Sequence, residues 1–290
     1  MRVLMGPRVL LMVLTVGLLG VMTHAQGKPV EFGSESWVLA DAQVTEHLGR
    51  TSLAGSAFLK EAVFENGVIE VDVAFSGARS YPGVLFRIQG PGENERVYIR
   101  PHRSGQAQYP DVVQYVPTFN GVDSWQLYSG EGFTAFAPIP SDQWLHLKIE
   151  VSGTRARVFI GDSNRPALLI HALKHGLSKG TIGLMGPRDG SAFFSNFSYR
   201  TDDTLTFDPP PKVFPPPGLV ADWQLSPPYK ALGADRARYP GAEKLAAMGW
   251  KAVKAEPDGL LDFSRTFGRL GPAPDCILAK TVIPSDKDQI

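Results

Sequence analysis

At 290 residues the chain can form one large β domain or two ordinary ones. Its 43% hydrophobic and 20% charged content is that of an ordinary globular protein, and 29 basic residues balance 29 acidic ones, so no basic excess favours a nucleic-acid partner. Thirty glycines and 24 prolines suit many turns and short strands better than helices.

The first 25 residues read as an export signal. Arg2 and Arg8 supply the positive end, Val9–Met22 is an apolar run, and Thr23-His24-Ala25 places a small residue before a cut at Gln26. The run falls short of the ~20 apolar residues that a membrane helix needs, although an uncleaved anchor is the alternative. Cleavage implies an exported protein, periplasmic or extracellular, with no membrane attachment. Losing two arginines of the 29 basic residues leaves a charge near −2. Cys276 is the single cysteine, so the chain relies on its core rather than on an internal disulfide. Its apolar surroundings, Cys276-Ile277-Leu278-Ala279, read as a small buried hydrophobe rather than a nucleophile.

From Trp37 to Tyr199 turn signals recur at short intervals. The runs between them predict strands near Ala42–Leu48, Ser56–Lys60, Gly67–Phe75, Gly83–Gln89, Arg96–Arg100, Asp111–Val116, Trp125–Tyr128, Trp144–Ser152, Arg155–Ile160, Ala167–His171, Gly180–Met185 and Ala192–Tyr199. Ile69, Val71, Val73 and Phe75 share one strand face and Glu70 and Asp72 the other. Leu145, Leu147, Ile149 and Val151 oppose Trp144, His146, Lys148 and Glu150. Such alternation gives each strand a core side and a wet side, and two stacked sheets would bury the core sides together. This sets a β-sandwich over residues 26–207. Asp208–Gly218, with six prolines, reads as a stiff linker. Residues 219–290 then hold a short helix at Gly241–Met248 and strand-like pieces at Trp250–Ala255, Leu260–Ser264 and Cys276–Ile283, too little for a full core and suggestive of a partial, truncated second β domain.

The segments Phe64–Asp72, Trp144–Val151, Gly180–Leu184 and Phe193–Phe197 resemble those of a concanavalin A-like (laminin-G-like) jelly-roll domain. Within that superfamily the chain is similar to bacterial exported domains grouped as family-16-like glycoside hydrolase or 3-keto-disaccharide hydrolase domains. The resemblance implies an all-β jelly roll acting on or binding carbohydrate. One departure stands out. Family-16 glycosidases carry two glutamates with an aspartate between them on one strand. Here Glu70-Val71-Asp72 matches the first part, while Ala74 and Phe75 occupy the place of the second glutamate. A retaining mechanism needs two carboxyls about 5 Å apart, and this strand does not supply them.

Candidate residues fall into groups. Glu70 and Asp72 would be a surviving acid and its helper, although alternation alone also makes them a solvated strand face. The middle of the chain places Arg87, Tyr98, Arg100 and His102 on wet sides, with Gln114 and Tyr128 beside them. Planar donors, amides and aromatic rings are what a sugar site uses to pair hydroxyls and cover apolar ring faces. A cross-strand polar ladder with acids such as Glu93 or Glu95 is the structural alternative. Among the aromatics Trp125, Tyr128, Phe133, Phe136 and Trp144, most should be core, while Trp125 and Tyr128 lie next to turn residues. The histidines lack metal-ligand spacing. Calcium on scattered oxygens of Asp111, Asn120, Asp123 and Asp189 is the one metal the sequence leaves open, without an EF-hand-like loop. No nucleophile elbow, Walker loop or dinucleotide fingerprint is present. The leading expectation is an exported carbohydrate-binding, lectin-like module. The alternatives are a hydrolase of glycosides or keto-glycosides, using Glu70, Asp72 or His102 as acid or base, and a structural or protein-interaction sandwich.

Overall fold

The computed structural model describes residues 27–106, 108–230, 240–271 and 275–283. The expected export signal lies outside them. Up to residue 201 the regular structure described is strand, apart from a 3₁₀ turn at Pro101–Arg103: β1 (Lys28–Pro29), β2 (Trp37–His47), β3 (Arg50–Leu59), β4 (Gly67–Phe75), β5 (Gly83–Gly90), β6 (Glu93–Ile99), β7 (Val113–Phe119), β8 (Val122–Asp123), β9 (Thr134–Ala135), β10 (Trp144–Ser152), β11 (Arg155–Ile160), β12 (Leu168–Ile170), β13 (Thr181–Met185) and β14 (Ala192–Thr201). They form one antiparallel sheet in the order β12-β11-β10-β4-β14-β3-β13-β5-β6-β7-β8, with β2 on β3, β1 on β14 and β9 on β7.

The sheet curls until its two halves face each other. Inward residues of β4 and β10 (Ile69, Val71, Leu147, Ile149) share one core cluster with inward residues of β5, β6 and β7 (Val84, Phe86, Val97, Ile99, Val113, Tyr115). Burying these apolar faces against each other is the main driving force, at about 25 cal/mol per Å² removed from water. The alternation in β10 is strict: every second residue is buried and the others are half-buried. β2 and β3 are joined by Leu48-Gly49, both with left-handed backbone (φ 45° and 71°) between the paired His47 and Arg50. A two-residue hairpin turn of this twist demands positive φ at both positions. The all-β sandwich is therefore the fold, and the β4, β10 and β11 boundaries match the sequence expectation residue for residue.

Two expected strands are corrected. Trp125–Tyr128 is a turn, because the Asn120-Gly121 hairpin (φ 51° and 74°) folds the short β8 back onto β7 and leaves the following residues to wrap over the strand end. Leu260–Ser264 is not a strand either. Asp262 caps a 3₁₀ turn at Phe263–Arg265 by accepting from the Ser264 N–H.

Residues 208–218 carry no helix or strand and are exposed throughout. After them come β15 (Asp222–Leu225), β16 (Tyr229–Lys230), α1 (Ala242–Ala247), β17 (Lys251–Lys254), β18 (Asp275–Cys276) and β19 (Ala279–Lys280), which form a sheet ordered β17-β15-β19 and a separate β16-β18 pair. Among the described residues of this tail only Leu225, Ser226, Asp262 and Ser264 are buried. Three of the four are polar. Its anchorage is polar as well: the Tyr128 hydroxyl donates to Asp262 (2.7 Å), the Asn120 amide to the Ser264 carbonyl (2.8 Å), and Lys174 pairs with Glu256. Cys276 is half-buried rather than enclosed.

Candidate functional site

β6 presents Arg96 and Tyr98 outward, and Arg100 directly after the strand continues the row. The Tyr98 ring lies between its two neighbours, 4.6 Å from the Arg96 guanidinium carbon and 4.7 Å from that of Arg100. Each pair is a cation–π contact. Opposite Tyr98 stand Gln114 on β7 and Gly83 on β5. A Cβ at position 83 would clash with the Val97 carbonyl oxygen and lie 2.7 Å from the Tyr98 Cβ, so only glycine lets β5 approach β6 this closely at Tyr98.

Hydrogen bonds lock the floor. The Tyr98 hydroxyl donates to Gln114 Oε1 (2.7 Å), and Arg100 donates to the Tyr98 hydroxyl oxygen and to Gln114. The Gln114 amide donates to the carbonyls of Trp125 and Tyr128, holding the turn after β8 in place. Arg100 also donates to the Asp111 carbonyl (2.7 Å) and lies 3.4 Å from its carboxylate, which Arg103 also engages. Arg96 donates to Asp123 (3.2 Å) and to the Tyr81 carbonyl (3.0 Å). Above this floor opens a cleft of about 370 Å³ lined by Arg79, Tyr81, Arg96, Tyr98, Arg100, Arg103, Val116, Asp123 and Trp125. Its aromatic walls are open to solvent: Tyr81 is 38% exposed and Trp125 44%. His102 stands edge-on to the Tyr81 ring at 5.6 Å. Burial, helped by Arg103, Arg79 and Arg100, pushes its pKa down.

The structure thus brings Tyr98, Arg100 and Gln114 together, with His102 at the margin. Arg87 is a correction. It was expected on the wet side, but it sits on left-handed backbone (φ 50°) where the β5–β6 register shifts, and it is fully buried. Its guanidinium donates to the carbonyls of Glu65 (2.9 Å), Gly176 (3.0 Å) and Gly153 (2.6 Å), so it ties loops together away from the cleft. Tyr128 is the second correction. It is fully buried, donates to Asp262 and has its pKa pushed far up, by burial first and then by that carboxylate. Sequence reasoning missed Arg79, Tyr81, Arg96 and Arg103. The Arg-Val-Tyr-Ile-Arg alternation at 96–100 carried the signal for Arg96.

Glu70 and Asp72 lie on a different outer face, where β4 runs between β10 and β14. They flank His146, not His102: Nδ1 is 2.8 Å from Asp72 and Nε2 3.4 Å from Glu70. Arg50 (2.6 Å) and the Asn196 amide (2.8 Å) also donate to Asp72. Hydrogen bonds to Asp72 and Glu70 raise the His146 pKa to about 9 against the cost of burial. The His146 hydrogen bond in turn lowers Glu70. Burial opposes ionisation of Asp72, but donors from His146, Asn196 and Arg50 outweigh it and lower its pKa. Both carboxylates are therefore ionised at neutral pH and hold no proton for a general acid to give. The groove here, about 610 Å³, is closed on one side by Gly27–Phe32. Of the three residues expected as alternative acids or bases, Glu70 and Asp72 thus share this groove, while His102 stands by the Tyr81 ring on the other face.

Among the described residues no group of three His, Cys, Asp or Glu is placed to hold a metal ion. Of the residues considered for calcium, Asp111 pairs with arginines, Asp123 accepts from Arg96 and Thr118, and Asp189 accepts from the Ser191 N–H, while Asn120 is held through its nitrogens, its backbone N–H donating to the Glu93 carboxylate and its amide to the Ser264 carbonyl.

No protein-family model and no curated protein matches the chain. Solved structures do. The carbohydrate-binding module CBM66 from Bacillus subtilis is 20% identical, covering 57% of this chain and 96% of its own, with a TM-score of 0.42. The Emp46p carbohydrate recognition domain, metal-free, is 12% identical over 59% of this chain and 90% of its own, TM-score 0.39. The galectin LEC-6 from Caenorhabditis elegans is 10% identical over 59% and 99%, TM-score 0.34. With identities and TM-scores this low, the side chains of this chain, not its neighbours, bear on what it binds.

Proposed function

We propose that the chain is an exported carbohydrate-binding β-sandwich whose sugar lies in the cleft between Tyr81 and Trp125, over the row Arg96, Tyr98 and Arg100. The observation that carries this reading is the combination of two open aromatic walls with a floor of hydrogen-bonded guanidiniums and an amide. Aromatic faces cover the apolar face of a sugar ring, and a fixed fork of N–H donors pairs its hydroxyl oxygens. The floor is rigid before ligand arrives, because Arg100, Tyr98 and Gln114 hold one another, so little side-chain entropy is lost on binding. A cleft of about 370 Å³ also separates this face from the flat one that a purely structural sandwich would present. The hydrolytic alternative receives less support, because the acids at the cleft, Asp111 and Asp123, are both paired with arginine.

The test is binding of the mature chain to a panel of soluble polysaccharides by affinity electrophoresis, followed by calorimetry on the best. Trp125→Ala and Tyr81→Ala should each weaken binding about tenfold or more, equivalent to about 1.4 kcal/mol, with the thermal transition little changed because both rings are exposed. Retained affinity in the double variant would sink the reading.

A further inference from the structure

The charge of the cleft goes beyond what a neutral sugar requires. Arg79, Arg96, Arg100 and Arg103 line it, against two carboxylates, Asp123 in the wall and Asp111 beneath. Two positive charges are left over. His102 does not offset them.

The four guanidiniums are not equally committed. Each has five N–H donors. Arg100 spends its terminal nitrogens on Asp111, Tyr98 and Gln114 and is held in the floor. Arg79 uses only Nε, on the Tyr81 hydroxyl (2.9 Å), and Arg103 only Nη1, on Asp111. Among the described residues no acceptor meets the remaining nitrogens of these two, which stand exposed and half-exposed at the mouth. Deeper in, Arg96 is 7% exposed, and its Nε–H is buried without any acceptor. A buried donor left unpaired is unfavourable, and so are like charges crowded against low-dielectric walls. An anion held between the mouth arginines would offset the excess charge and take the free donors of Arg79 and Arg103, while the Arg96 Nε–H stays enclosed behind them.

Resting on the sugar-binding reading, we infer that the unit bound in this cleft is an anionic sugar, its carboxylate or sulfate group taken by Arg79 and Arg103 while its ring lies against Trp125 or Tyr81. A planar carboxylate matches the guanidinium fork in a bidentate way that a hydroxyl does not. Both acid groups share this chemistry, so the experiment separates them.

The experiment is calorimetric titration of the full chain with three probes: oligogalacturonate, the same oligomer with its carboxyls reduced to alcohols, and a sulfated oligosaccharide of equal length. The expected result is binding of at least one anionic probe, at least tenfold tighter than that of the reduced oligomer, and weakened by added salt as screening shortens the reach of the charges. Which anionic probe binds identifies the acid group. Arg79→Gln/Arg103→Gln should erase the preference, whereas Lys212→Gln in the exposed linker should leave it intact. Equal binding of charged and reduced oligomers, or an unaltered preference in the double variant, overturns the anionic assignment while sugar binding stands. Failure of all three probes alongside binding of a neutral polysaccharide has the same meaning. Failure of every saccharide overturns both.

Discussion

The cleft over β6 and β7 and the groove over β4 and β10 arise from the same alternation of inward and outward side chains, yet they end differently. In the groove the charges close on themselves: His146 and Arg50 answer Glu70 and Asp72, and the Asn196 amide takes up a further acceptor position. In the cleft arginine outnumbers acid, donors are left over at the mouth, and aromatic rings stay open to solvent. A polar strand face is thus no guide to ligand binding. What separates a ladder that only holds strands together from a surface that takes a ligand is whether its donors and acceptors are already spent.

Arg87 is the extreme of the spent kind and gives the largest expected effect. Arg87→Met should cost about 3–5 kcal/mol of folding stability, because three loop carbonyls lose their charged donor and each buried acceptor left unmet costs about 1–3 kcal/mol. Denaturant unfolding measures this, and sugar affinity per folded molecule should stay at the native value. If affinity fell while stability held, Arg87 would belong with the cleft after all.

Asp72→Ala comes next. It leaves Arg50 and His146 facing one carboxylate fewer, and about 1–3 kcal/mol of stability should go with it, again with binding unchanged. A loss of binding instead would move the ligand to the β4–β10 groove.

His146→Gln is the smallest effect, about 1 kcal/mol or less, and its pH dependence has a definite sign. The folded-state pKa of His146, about 9, lies above its ordinary 6.5, so its contribution is complete below about 6.5 and is lost as pH rises through 9. Glu70 and Asp72 are shifted down from 4.5 and 3.8, so theirs is complete above those values and lost as pH falls below them. The cluster is at full strength between about 4.5 and 6.5. Thermal melts of native and His146→Gln protein should differ most in that window and converge above about pH 9. A gap that widened with rising pH would mean that the imidazole is neutral in the fold.

The sandwich was legible because strict period-two patterning in segments such as Gly67–Phe75 and Trp144–Ser152 leaves one answer for which side is buried. The site was legible in part. Tyr98 and Arg100 followed from regular alternation, whereas Gln114 lies among Val112, Val113, Tyr115 and Val116, where parity leaves both faces open and only the strand pairing sets it opposite Tyr98. Arg87 did not, because a left-handed residue at a register shift reverses parity, and no composition rule marks it in advance. Tyr128 looked like a platform beside a turn. Its burial depends on Asp262, 134 residues further on, a pairing that local pattern does not encode. Arg79, Tyr81 and Arg103 reach the cleft from segments flanking the strands, where periodicity gives no direction at all.

The most direct test of the account maps a bound saccharide by backbone and indole NMR shifts in the isotopically labelled chain. Perturbations should centre on the amides of Arg96, Tyr98 and Arg100 and on the Trp125 indole, with the signals of Glu70, Asp72, Asn196 and His146 unmoved. Shifts clustered on those four residues, with the β6–β7 face silent, would contradict it.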